Sequence, residues 1–281
     1  MNWLFGLLTN VLNSFSFLLT FARWLKNYLA NHLEITLAMS LQTSKLDFLE
    51  GKNVFIFDTE TTGLPERVPG AKWGTASEYW PYNMSSKYTN ARLVSIAWVY
   101  ITGFTKSDID LEKLVIPHYI RKPEGFTEIP TTHIHGISYS MAVSQGLPLL
   151  DIFLQKGLKD ILDKVDYIIA HNVMFDIHIL QSELYKLQTE DAMKAVWKIE
   201  NMKKHNQCIC SAELGRDLCK LDYKRKTAGI SSSASVTSKK PKTYKIPKLV
   251  ELYKHFYGEE FENQHDASGD VLALVKCLIR M

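Results

Sequence analysis

The run Val54-Phe55-Ile56-Phe57 constrains this chain more than any other stretch. Four consecutive β-branched or aromatic residues leave no polar side for water, so the run predicts a strand buried on both faces at the centre of a sheet. Charge then ends it abruptly, at Asp58-Thr59-Glu60-Thr61-Thr62-Gly63-Leu64-Pro65. Side chains two apart on an extended chain point the same way, so Asp58 and Glu60 set two carboxylates on one side. Gly63 and Pro65 break the strand. Open α/β sheets present their sites just outside such strand ends, which makes the pair a candidate site. A D-x-E pair alone occurs about once by chance in a chain of this size, so its weight depends on which distant carboxylates join it.

With 281 residues, 46% of them hydrophobic, the chain can bury one core of about 200 residues and carry an appendage. A formal net charge of +3 does not by itself argue for nucleic acid. The positive charge is local. Asp222 to Lys248 holds eight basic residues (Lys224, Arg225, Lys226, Lys239, Lys240, Lys242, Lys245, Lys248) against one acid. Its serine run (Ser231, Ser232, Ser233, Ser235) gives it the composition of a flexible loop, and its lysines suit either a solvated tether or a contact to backbone phosphates. Cys208, Cys210 and Cys219 follow His205 closely enough to raise zinc, but C-x-C without C-x-x-C is poor ligand spacing. With Cys277 they read as reduced thiols of an intracellular protein.

Residues 1–45 differ from the remainder, 46–281. Trp3 to Phe21 has no charged residue, yet Asn2, Gly6, Thr9, Asn13, Ser16, Thr20, Arg23 and Asn27 draw a small or polar stripe at helical spacing. A membrane-spanning helix, an interfacial helix and a partner-docking helix all fit an apolar segment over residues 3–30. A cleaved signal peptide fits less well, since no positive region precedes the apolar run. Met39 is an alternative start.

Downstream, residues 65–90 lack periodicity but hold Trp73, Tyr79, Trp80, Tyr82 and Tyr88, as a packed flap or a base-stacking surface would. Arg92 to Ile101 and Leu114 to Ile120 read as further strands. His133 to Ser138 reads as a loop, with Ser138 capping the next helix. Leu149 to Lys164 has helical spacing, and Tyr167 to Ala170 is a short strand running into His171, Asn172 and a helix that carries Asp176 in its first turn and continues through Leu187. Helices follow over Asp191 to Lys204, Leu249 to Tyr257 and about Asp266 to Arg280. In the last, Ala267, Asp270, Leu274 and Cys277 share a face, so an acid interrupts an apolar stripe and needs a partner.

Asp58, Glu60, Asp176 and Asp270 thus stand where one α/β site can collect them. Four carboxylates together repel, and some stay protonated unless cations lie between them. Hard divalent cations, Mg²⁺ or Mn²⁺, meet that need, and a pair of them about 4 Å apart suits in-line phosphoryl displacement. Histidine titrates near neutrality, so His265 can serve as the base.

FDTETTGL at Phe57 to Leu64, HNVMFD at His171 to Asp176 and HDASGD at His265 to Asp270 resemble the three exonuclease motifs of the DEDDh family. Polymerase proofreading subunits, ribonuclease T and oligoribonuclease belong to it. HIHGIS at His133 to Ser138 and PKLVELY at Pro247 to Tyr253 add to the likeness, which covers about residues 50–281. The resemblance implies a ribonuclease-H-like mixed β-sheet flanked by α-helices, here with an extra N-terminal apolar helix, and 3′-to-5′ hydrolysis of single-stranded nucleic acid, DNA favoured over RNA, releasing nucleoside 5′-monophosphates. It makes Asp58, Glu60, Asp176 and Asp270 the ligands of two Mg²⁺ or Mn²⁺ ions and His265 the general base. Thr61, Leu64, Asn172, Phe175 and His135 match substrate-binding positions. An intracellular, cytoplasmic or DNA-associated setting follows, with membrane or polymerase attachment open. The long 65–90 insertion, the basic 222–245 segment and the apolar N-terminus depart from the pattern. The competing reading is a non-catalytic nucleic-acid-binding or membrane-tethered scaffold on the same fold; loss of an acid or of His265 would favour it, and all five are present.

Overall fold

A computed structural model describes residues 45–223 and 243–281, and the account concerns the compact unit Phe48–Met281. The apolar segment 3–30, the serine run and the basic residues from Lys224 to Lys242 lie outside the described residues. Among the described residues no helix is long and apolar enough to cross a membrane.

Five strands make one mixed sheet in the order β3-β2-β1-β4-β5. They are β1 (Val54–Thr61), β2 (Leu93–Ile101), β3 (His118–Ile120), β4 (Tyr167–Ala170) and β5 (Cys208–Cys210). The apolar run is central, as expected. β1 pairs antiparallel with β2 from Val54↔Ile101 to Thr61↔Leu93, but parallel with β4 only over Val54 to Ile56. Asp58 and Glu60 therefore lie beyond the last parallel pair, Ile56↔Ile169. Antiparallel on one side of β1 and parallel on the other, with helices flanking it, the sheet is ribonuclease-H-like.

The helices are α1 (Thr132–His135), α2 (Tyr139–Gln145), α3 (Leu149–Leu154), α4 (Leu158–Lys164), α5 (Val173–Leu187), α6 (Glu190–Lys204), α7 (Ser211–Cys219), α8 (Leu249–Tyr257) and α9 (Ala267–Arg280). Ser138 caps α2 as anticipated, its Oγ accepting from Met141 N–H at 3.2 Å. Three local readings need correction, and one strand is added to them. β3 begins only after Pro117, which has no N–H to give a ladder. His133 to His135 belong to the one-turn helix α1, closed by Gly136 at φ 76°. Leu149 to Lys164 is two helices, parted at Gly157. Cys208 to Cys210 is a strand too short to show any period.

Phe55 and Phe57 stack at 4.8 Å and join the main core with Ile168, Val173, Ile177 and Leu180. Burying each such side chain stabilises the fold by about 1.5–3 kcal/mol. α9 packs against β1 and β2 without entering that cluster, so it covers the sheet's other face. Residues 65–90 form a packed flap. Glu78, 1% exposed, pairs with Arg67 Nε at 3.0 Å, and Tyr79 lies against the rings of His178 and Phe175.

A buried ion cluster ties the flap's far end to α5. Glu183 receives Arg92 Nε at 2.6 Å on Oε1 and Arg121 Nη1 at 2.8 Å on Oε2. Burial pushes its carboxyl up, but Arg121 and Arg92 outweigh that and hold it at about 2, below the ordinary 4.5. A depressed pKa stabilises the fold above the unfolded value, and the contribution fades as the pH falls through 4.5 toward 2. Glu183→Ala, which strands two buried guanidiniums, should lose about 3–5 kcal/mol in urea unfolding. Glu183→Gln should show a flatter acid limb than wild type. A loss of no more than about 1 kcal/mol, the scale of an exposed pair, would contradict this role.

Candidate active site

Strand alternation and one helix start bring three carboxylates together. Ligand atoms of Asp58, Glu60 and Asp270 all lie within 4.8 Å of one another. Asp270 reaches the pair because Asp266 caps α9, its Oδ2 accepting from Gly269 N–H at 3.1 Å, so that Asp270 falls in the first turn of a helix laid on β1. His265 precedes this cap and donates its backbone N–H to Asp270 Oδ2 at 3.2 Å. The entry loop is tight. Asn263 and His265 hold left-handed backbone at φ 59° and 65°, and a Cβ on Gly269 would meet the Asn263 carbonyl oxygen at 2.6 Å. Left-handed non-glycine residues cost free energy and collect at functional sites.

The fourth acid is placed differently. Asp176 is buried at the start of α5 and turned to Thr59, whose N–H and hydroxyl both donate to Oδ1, at 3.1 and 2.7 Å. It stands outside the trio but within its electrostatic reach. Burial pushes Asp58 well above the usual carboxylate range, and Asp176, Asp270 and Glu60 push it further. Burial, then Asp270 and Asp176, raise Glu60 to about 8. Asp176 rises to about 7 through burial, against the pull of its Thr59 bonds. Asp270 rises to about 7 by burial, against the His265 amide.

Asp58, Asp270, His265 and Asn172 open on one cleft of about 740 Å³. Asn172 takes a left-handed turn at φ 71° into α5, and its buried Oδ1 has no hydrogen-bond partner among the described residues. Thr61, Leu64, His135 and Phe175 do not line this cleft. Leu64 is 78% exposed. His135 is a buttress: its Nδ1 accepts from Ile137 N–H, so Nε2 carries the proton and donates to Thr131 Oγ1 at 2.9 Å. Thr131 in turn bonds the Thr61 carbonyl. Phe175 packs on the core and meets Tyr79 of the flap.

Of the other cleft residues, the sequence left His171 and Phe261 without a role, and Trp73 and Lys245 between packing or tether and contact with nucleic acid. His171, inside a recognised motif, donates Nε2–H to the Pro247 carbonyl at 3.1 Å and sets Nδ1 3.0 Å from Ser211 Oγ. Burial holds its pKa down to about 4, so it is neutral and fixes the cleft wall before α8. Trp73, Lys245 and Phe261 also face the cleft, from segments without periodicity. The cysteines are unpaired, Cys210 and Cys277 being buried.

The family model described as RNase T exonuclease matches residues 55–278. Escherichia coli exonuclease I, solved with single-stranded DNA and zinc, is 17% identical over 80% of this chain and 39% of its own, with a TM-score of 0.48. Exonuclease I of Methylocaldum szegediense is 16% identical over 82% and 40%, with a TM-score of 0.48. A 3′-exonuclease that recognises the histone mRNA stem-loop is 12% identical over 92% and 72%, with a TM-score of 0.49. The chain thus spans about 39% of the length of the first of these structures. No curated protein matches significantly.

The trio fits a divalent cation by its chemistry: all-oxygen, anionic donors whose pKa values are raised by burial and, at Glu60, by the neighbouring acids as well. Carboxylates raised above their unfolded values destabilise the fold as the pH climbs through about 4 toward 8, and a bound cation offsets this. Mg²⁺ or Mn²⁺ should therefore raise the melting temperature more at pH 8 than at pH 5, and Asp270→Asn should shrink the difference. An equal shift at both pH values would count against these acids as ligands.

Proposed function

Because this chain belongs to the RNase T exonuclease family, we propose that it shortens single-stranded nucleic acid from the 3′ end by metal-dependent hydrolysis. The observation that carries the reading is the trio Asp58, Glu60 and Asp270 at the end of β1, with His265 bonded to one of its members. The trio, with Asp176 beside it, would hold a pair of Mg²⁺ or Mn²⁺ ions, which when bound neutralise the converging anions and acidify water.

The chain's own residues supply the rest. His265 is exposed on the cleft and accepts the proton of the attacking water. The water oxygen bonds to phosphorus and the bond to the neighbouring 3′ oxygen breaks, giving a nucleoside 5′-monophosphate and a shorter strand. Thr59 fixes the Asp176 carboxylate, and the His265 amide fixes that of Asp270, so neither acid must reorganise during the reaction. Asn172 lines the cleft and offers its side-chain amide N–H to the strand. Thr61 and Leu64, at the end of β1, meet the terminal nucleotide in this reading.

The test is digestion of 5′-labelled single-stranded DNA and RNA of matched sequence, with Mg²⁺ or Mn²⁺ and with chelator. A metal-dependent ladder shortening from the 3′ end is expected, and its relative strength on the two substrates identifies the sugar preferred. Asp58→Asn should abolish it, and His265→Ala should slow it by about 10²–10⁴-fold, the range of general-base catalysis, while cation binding is kept. Cleavage that survives in Asp58→Asn, or that starts inside the strand, would overturn the proposal.

A further inference from the structure

Away from its acids, the cleft is walled by rings. Trp73 comes from the flap, Phe261 from the segment before His265, and Tyr223, 63% exposed, from beyond α7; Lys248 lies at the cleft, as does Lys245, which is paired with Glu251 at 2.5 Å. Trp73 is held in place by its neighbour. Gly74 takes φ 76° and donates its N–H to Glu78 Oε2 at 2.6 Å, and Glu78 is the buried partner of Arg67. A side chain at position 74 would meet Glu213 Oε1 of α7 at 2.9 Å, so the flap closes directly onto that helix. Trp73 packs on the core at one side and faces the cleft at the other.

An indole fixed in the cleft that holds Asp58 and Asp270 is suited to a nucleobase, since every base has a π-face to stack. A base can reach it only when unpaired. None of Thr61, Leu64, His135 and Phe175 lines this cleft. We propose that Trp73 stacks on an unpaired base of the substrate strand, making this wall of the cleft a nucleotide subsite apart from that of Thr61 and Leu64. The proposal rests on the exonuclease reading.

Steady-state hydrolysis of a 5′-labelled single-stranded oligonucleotide by the full chain separates stacking from packing. Trp73→Leu keeps apolar bulk and removes the ring; Trp73→Phe keeps a ring. Trp73→Leu should raise KM by roughly 5- to 140-fold, the range of one base–aromatic stack, with kcat little changed. Trp73→Phe should restore most of the loss, with equal melting temperatures for both variants. An unchanged KM in Trp73→Leu, or equal losses in both variants, would overturn the proposal. Tryptophan emission gives an independent reading. A nucleoside 5′-monophosphate should quench it in wild type and not in Trp73→Phe, and quenching that persists in the variant would also overturn the stack. Should wild type hydrolyse nothing, the exonuclease reading falls, and emission alone decides Trp73.

Discussion

β1 leaves its parallel partner at Ile56↔Ile169 and keeps going, and what it carries past that point is anionic. Phe55 and Phe57 lock its first half into the core, so Asp58 and Glu60 cannot retreat to water. Asp270 of α9 is brought against them by a capped helix start. Burial raises the pKa values of all three acids, and repulsion from the neighbouring acids adds to it at Asp58 and Glu60; this is the constraint around which the remaining site is built. Helix packing and strand pairing hold together what electrostatics would separate.

That arrangement needs a rigid surround. The Arg92–Glu183–Arg121 cluster braces α5, which carries Asp176, against the strand end and the loop before α1. The Thr131 hydroxyl ties α1 to the Thr61 carbonyl, so the end of β1 is held from a second direction. His171 fixes the third wall through Pro247. Around the acids, left-handed backbone falls at Asn172 before α5 and at Asn263 and His265 just before the cap of α9. Strand pairing and the buried Thr59 bonds hold acids in place, and the exposed loop carries His265.

Much of this was legible in the sequence. Asp58, Glu60 and Asp270 could be grouped because strand alternation and helical spacing are strong, local signals. The same signals found β2, β4, α5 and α9 within a residue or two of their observed bounds. What escaped depended on tertiary contacts. Asp176 is a partner of Thr59 as much as of the other acids, a pairing made across 117 residues of chain. β5 is three residues long and gains its identity only by pairing with β4. The flap has no period at all; its order comes from one buried carboxylate, Glu78, and from rings that meet α5. Nothing in the spacing of Trp73 showed that it would face the cleft.

The central claim is that the acids at the end of β1 are a cation site. Anomalous diffraction from crystals grown with Mn²⁺ at neutral pH tests it most directly. Anomalous peaks are expected within ligand distance of Asp58, Glu60 and Asp270. Manganese bound elsewhere, with these three carboxylates bare, would contradict it.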